Sequence, residues 1–321
     1  MATITPRVNQ ELLARDRSAA RRNTLITNVT LFLMALPGIA MLFVFNYLPL
    51  YGLVIAFKDY RFAKGIWGSE WVGFNNFRFI FGAGMGWRIT GNTVFYNLLF
   101  IFSGLVGALL LALLVNEIHR NRMARVYQAM SFLPHFVSWV VVGIFANFFL
   151  RSDGGVVAKL LLALGQDRIV FYQSPQYWPA IMVVINLWKG VGFGSIVYLT
   201  GMMGIDEEYY EAASIDGANR WQQIWFITLP LLMPLIITLT LLQLGGIFRG
   251  NLEMFVQMVG NNPLLYPTTD IIDTFVFRSL LNLGNLGMAG AASLFQSVVG
   301  LVMLLATNYT VKKLREDQAL Y

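Results

Sequence analysis

Few residues of this 321-residue chain could carry covalent chemistry. With no cysteine there is no thiolate nucleophile, disulfide framework or thiolate metal site. The two histidines, His119 and His135, lie 16 residues apart and cannot hold a metal alone, and no HExxH pattern occurs. No Walker-type lysine loop is present, and the glycines of WKGVGFGS, GLVGALLLA and GMAGAA fit close helix packing better than phosphate binding. Two other sets of residues stand out. One is an acidic cluster, Asp206, Glu207, Glu208, Glu211 and Asp216, facing only Arg220 in the opposite charge. The other is a scatter of polar groups inside apolar runs: Trp139, Asn186, Lys189, Gln243, Arg249, Asn251, Glu253 and Gln296, joined by His135, Ser138, Asn147, Gln257, Ser293 and Ser297.

The elements that must position them are membrane helices. The chain is 57% hydrophobic and 12% charged, with a mean hydropathy of +0.60, a balance no solvated domain surface carries. A helix crosses the hydrocarbon with about 20 apolar residues, and six segments qualify: 29–57, 92–115, 126–150, 178–203, 229–258 and 288–311. The expectation is an all-α polytopic protein with one membrane domain, 29–311, between tails 1–28 and 312–321. Pro37 and Pro49 predict a kinked or tilted first span. The fifth loses hydrophobicity after Gly245, so its membrane part stops near Phe248 or its end lines something wet.

Arg7, Arg15, Arg17, Arg21 and Arg22 precede the first span, Arg120, Arg122 and Arg125 lie between the second and third, and Lys312, Lys313 and Arg315 follow the last. The positive-inside rule puts both termini in the cytoplasm, and the polar start reads as a retained tail rather than a secretory signal. The net charge of +6 is then topological, since no basic cluster interleaved with aromatics suggests nucleic acid. The outer stretches 58–91, 151–177 and 259–287 are expected to hold short interfacial helices.

The acidic loop, 204–228, thus faces the cytoplasm, where charge statistics favour Lys and Arg. It reads as two short helices, GIDEEYYEAASI with Asp206 as N-cap and ANRWQQIWF after Asp216-Gly217, with Pro230 in the first turn of span five. Ala212, Ala213 and Ala218 would allow close approach, with Trp221 and Trp225 at the base, so a partner's groove is one reading and a solvated helix face the other. For the polar residues within spans, each is a pathway candidate; amides with aromatic faces such as Trp139, Phe193 and Tyr198 suit sugars, and Lys189 or Arg249 suits an acidic one. The alternatives are interhelical hydrogen bonds, an Arg249–Glu253 pair, or snorkelling.

Glu211-Ala212-Ala213, Asp216-Gly217-Ala218 and Ile227-Thr228-Leu229-Pro230, at this spacing, resemble the EAA motif of permease subunits of type I binding-protein-dependent ATP-binding-cassette (ABC) importers. LPLYGLVIAFKDY and NPLLYPTTDIIDTFVFR are similar to segments of the oligosaccharide and polysaccharide branch, alginate importers most of all. The resemblance implies a six-helix permease of the bacterial inner membrane, paired with a second homologous permease, two cytoplasmic ATPases and an extracytoplasmic solute-binding protein. ATP and Mg would sit on the ATPases, leaving this chain without cofactor or metal. It also implies that 204–228 is the coupling loop: Glu211 pairs with a basic residue of the ATPase, Gly217 makes the turn, and Ala212, Ala213 and Ala218, beside Asp216, form the contact surface. The competing classes are an ion-gradient secondary transporter, which should show broken helices and carboxylates within spans, and an intramembrane enzyme, for which His135 lacks an evident catalytic partner.

Overall fold

The computed structural model describes residues 27–78, 82, 84–118 and 122–314. Arg7, Arg15, Arg17, Arg21, Arg22, Arg120 and Arg315, on which the orientation of the termini rests, lie outside the described residues. The chain divides into two units, Met1–Val54 and Ile55–Tyr321.

Helix α1 (Thr27–Phe57) is apolar and long enough to span. It is α-helical through Leu42, then passes through a π turn, Phe43–Tyr47, into a 3-10 stretch, Leu48–Phe57. The irregularity sits at Pro49, whose missing N–H breaks the i→i−4 ladder, whereas Pro37 lies within unbroken helix.

The second unit opens with an unforeseen hairpin, β1 (Lys58–Asp59) against β2 (Glu70–Trp71), antiparallel with Lys58 opposite Trp71. Then come α2 (Met85–Glu117), α3 (Arg122–Phe132), α4 (Trp139–Leu150), α5 (Val156–Ala163), α6 (Trp178–Met203) and α7 (Glu207–Ile215). Helix α8 runs Arg220–Gly245, followed by α9 (Leu252–Val259), α10 (Ile272–Leu281) and α11 (Leu286–Leu314). Among the described residues, α1, α2, α6, α8 and α11 contain the five uninterrupted candidate spans.

Two expected spans are therefore corrected. Residues 126–150 do not form one rod: the helix bends by 94° between Phe136 and Trp139, after the 3-10 turn Leu133–Phe136. Segment 229–258 is also broken, with α8 ending at Gly245 and α9 starting afresh at Leu252. Span five begins nine residues earlier than expected, at Arg220, so RWQQIWF forms its first turns rather than a separate helix. Pro230 accordingly lies inside a helix, directly after the π turn Ile224–Thr228 that accommodates its ring and absent donor.

Helices α2 and α6 are the main packed pair and run in the same direction. Tyr96 of α2 and Trp178 and Met182 of α6 share one apolar cluster with Met254, Phe255 and Met258 of α9. Ala108, Ala112 and Val115 share another with Tyr198, Leu199 and Met202 of α6 and Leu232 of α8. Gly192 permits the approach of α3 to α6, since a Cβ there would overlap the Ser131 carbonyl.

The segment before α10 is fixed by a buried ion pair. The Arg278 guanidinium donates to Asp270 at 2.8 and 3.1 Å and stacks 4.3 Å from the Tyr266 ring centroid. The Asn92 amide donates to the Asp270 carbonyl at 3.0 Å, and the Ile272 N–H donates to the Thr93 hydroxyl at 2.9 Å, tying the segment to α2. Removing one partner of a buried pair costs about 3–5 kcal/mol. Arg278→Met should therefore lower the thermal midpoint of the purified protein by several degrees, with part of the loss recovered by adding Asp270→Asn; an unchanged midpoint would show that the pair contributes nothing.

Candidate functional site

The acidic loop is a rigid corner. The Asp206 carboxylate accepts from the Glu208 N–H at 3.1 Å, capping α7 as its residue type predicts. At the other end the Ala218 N–H donates to the Ala213 carbonyl at 2.8 Å and the Gly217 N–H to Ser214 at 3.1 Å, with Gly217 at φ +82°. This is a Schellman stop, whose left-handed residue is glycine because a Cβ is strained there. Asn219 then starts α8: its side chain accepts from the Gln222 N–H at 2.9 Å while its own N–H donates to the Gln222 side chain at 2.7 Å. The C-cap of α7, Asp216, and the N-cap of α8, Asn219, are thus separated by two residues, Gly217 and Ala218.

Side chains bolt α7 to α8. Buried Gln223 donates to the Ser214 hydroxyl at 2.9 Å and the Tyr210 carbonyl at 3.4 Å, and the Tyr210 and Thr228 hydroxyls are 2.9 Å apart. Glu211, Ala212 and Asp216 are exposed, while Ala213 and Ala218 are half-buried on the inside of the corner. Among the described residues Glu211 has no ion-pair partner; Arg220 reaches Glu117 at 3.9 Å across an exposed surface. Large apolar side chains, Ile215, Trp221, Trp225 and Phe226, stand exposed beside the acids. The face can therefore offer both charge and apolar area to another protein.

The polar residues within spans separate into three groups. Asn186 and Gln243 share a cavity of about 440 Å³ with Phe193 and Tyr198, along the facing sides of α2 and α6 and reaching α8. Asn97, which sequence reasoning missed, lines it too; an amide inside span two was the available signal. The cavity extends between the two apolar clusters, with Phe100 packing against one and Ala108 and Tyr198 belonging to the other.

The second group holds the break in span three. The Lys189 ammonium donates to the carbonyls of Val137, His135 and Pro134 at 2.5, 2.7 and 3.5 Å and lies 5.2 Å from the Trp139 ring centroid. The third lies at the break in span five. Gln296 donates to the Phe248 carbonyl at 2.5 Å and to Asp273 at 3.0 Å, and Asp273 accepts the Gly250 N–H at 2.7 Å. Asp273 was not singled out from the sequence. Burial raises its carboxyl pKa, and the Gly250 and Gln296 donors and the Arg249 charge partly offset that rise. Exposed Arg249 lines a second cavity of about 390 Å³ with Gln296 and Ser297. It forms no ion pair with Glu253; that carboxylate is exposed on the first turn of α9, which Asn251 caps by accepting from Met254 at 3.1 Å. Both breaks match what a secondary transporter would show, but an amine fills the first and a hydrogen-bonded carboxylate closes the second.

Residues 104–316 match the family described as binding-protein-dependent transport system inner membrane component. The chain is 33% identical to Protein LplB of Bacillus subtilis (strain 168), covering 99% of each. It is 31% identical to the polygalacturonan/rhamnogalacturonan transport system permease protein YteP of the same organism, covering 97% of each. Among solved structures it resembles a chain of a bacterial ABC transporter involved in import of the acidic polysaccharide alginate, with TM-score 0.81, 34% identity, and 94% and 99% of the two chains covered. A further structure of a bacterial alginate ABC transporter, in complex with an alginate pentasaccharide-bound periplasmic protein, matches with the same score and identity over 91% and 97%.

Two measurements probe this geometry. Gln223→Leu removes the bonds to Ser214 and Tyr210, so amide exchange in 207–215 should quicken by roughly tenfold; unchanged exchange would mean that α7 is held otherwise. Because the folded Asp273 pKa lies above the ordinary 3.8, its charge weakens the fold at neutral pH. The native state takes up that proton first as pH falls through the folded pKa towards 3.8, so the penalty is relieved in that window. Thermal midpoints of wild type and Asp273→Asn against pH should differ by this contribution, and parallel curves would refute it.

Proposed function

The chain belongs to the inner membrane components of binding-protein-dependent transport systems, and from that premise we propose that it is a permease subunit of an ATP-driven importer of acidic oligosaccharides or polysaccharides. With a second homologous permease it forms the path for a solute delivered by an extracytoplasmic binding protein, across the bacterial inner membrane. Two cytoplasmic ATPases hold the ATP and Mg, and this chain hydrolyses none. Support for the substrate class comes from the polygalacturonan/rhamnogalacturonan and alginate systems among its relatives. None of the relatives named above speaks for ion-gradient transport.

The observation that carries the coupling role is the corner at Gly217. An acidic helix whose position is set by Tyr210, Ser214, Gln223 and Thr228 cannot be displaced without moving the inner end of α8. A partner that seats on Glu211, Ala212 and Asp216 therefore acts on span five. Asn186 and Gln243, with the Phe193 and Tyr198 rings, meet the solute's hydroxyls. Arg249, with Gln296 behind it, meets its carboxylates, and Asn251 and Glu253 follow that arginine closely in sequence. Lys189 and Trp139 shape the path.

In the reconstituted complex, Glu211→Ala or Gly217→Val should abolish transport and solute-stimulated ATP hydrolysis while membrane insertion stays intact; full coupling in both variants would overturn the assignment. Arg249→Ala should impair uptake of an anionic oligosaccharide more than a neutral one, and equal uptake removes Arg249 from the path. Depleting ATP should stop uptake that survives collapse of the proton and sodium gradients.

A further inference from the structure

The break in span three is built around a cation supplied by the chain itself. Three carbonyls of the 3-10 turn and the residue after it converge on the Lys189 ammonium: those of His135 and Val137, and that of Pro134, which also accepts the Val137 N–H at 3.2 Å. An ammonium has three donors and no acceptor, so three carbonyls saturate it. The Trp139 ring adds a π face to the same charge. Carbonyls freed at a broken transmembrane helix commonly hold a small cation; here the tethered ammonium takes that place.

The same helix carries the bend to the cavity. At Gly192 the backbone of α6 meets that of Ser131, and the next residue, Phe193, stacks on His135 at 4.4 Å with planes 10° apart. Phe193 also lines the cavity, as do Asn186 and Gly190, which flank Lys189 in sequence. The contacts therefore run from Lys189 to the bend, from the bend to His135, and from His135 through Phe193 to the cavity wall.

We propose that Lys189 is a positioning residue whose ammonium holds the 94° bend of span three and, through the His135–Phe193 stack, sets the shape of the cavity wall that meets the solute. The second half rests on the transport reading above; the first half does not.

The natural lack of cysteine makes the bend measurable, because labels can be placed at Tyr127→Cys and Phe148→Cys alone, both exposed. In the full importer complex, Lys189→Ala should broaden the distance distribution between spin labels at these sites. It should also raise the half-saturating solute concentration by roughly ten- to hundredfold, the worth of charge-assisted hydrogen bonds, by a larger factor than the maximal rate falls. Added n-propylammonium, which restores the missing atoms, should narrow the distribution and recover affinity. Lys189→Met, bulky but uncharged, should behave as the alanine variant does and serves in its place if alanine fails to assemble. An unchanged label distribution, a methionine variant equal to wild type, or no recovery with propylammonium overturns the clamp. A lost bend with unchanged half-saturation overturns its link to the cavity. If Asn186→Ala and Gln243→Ala also leave half-saturation unchanged, the transport reading of the cavity fails while the clamp stands.

Discussion

A carbonyl released from a helix inside hydrocarbon has no water to bond, and that constraint governs how this permease is built. Spans three and five are both interrupted, and each interruption is closed by side chains from other helices. Lys189 of α6 closes the first, and Gln296 of α11 with Asp273 of α10 closes the second. The donors match their tasks: a single ammonium gathers three carbonyls that face one point, while an amide and a carboxylate serve a break that exposes both a carbonyl and an N–H. Without these groups the half-helices would carry unpaired backbone, each such group costing several kcal/mol in lipid.

The interruptions leave room for a cavity that is partly open, with Phe193 and Gln243 exposed in its wall. Helix α4 turns aside at Trp139, and α8 ends at Gly245, so the parallel pair α2–α6 is covered by different elements along its length: α4 and α9 over Tyr96 and Trp178, α8 over Ala108 to Met202. Two apolar clusters result, with amides and rings gathered between them. An uninterrupted span five packed along the same pair would have merged the clusters.

Much of this was legible in the sequence, and the reasons for the rest are specific. Five spans and the acidic loop were visible because their signals are local: apolar length, Asp206 before a helix, glycine after one. The loss of apolar character after Gly245 already marked the second break. The first was marked by Pro134, at the start of the 3-10 turn, which was not singled out; the contact that closes it left no mark, since Lys189 bonds to backbone atoms more than 50 residues away that any residue type would supply. Lys189 and Gln296 stood out in the sequence with a solute contact and an interhelical hydrogen bond both open, because a polar residue in a span looks the same whether it serves a ligand or a neighbouring backbone. Pro230 was misjudged as a helix start because the π turn that lets a helix run through it has no composition of its own. The hairpin of β1 and β2, two residues in each strand, is too short for alternation to register.

The continuity of α8 from Arg220 to Gly245 has a mechanical consequence. At 1.5 Å per residue, its 26 residues make a lever arm about 39 Å long. One end is set in the Gly217 corner and the other stops where Gln296 and Asp273 close the chain. A tilt of about 10° around the Arg220 end would carry Gly245 roughly 7 Å, taking the helix as a rigid rod. A displacement too small to unseat α7 is thus enough, at the far end, to open or shut a passage the width of a sugar ring.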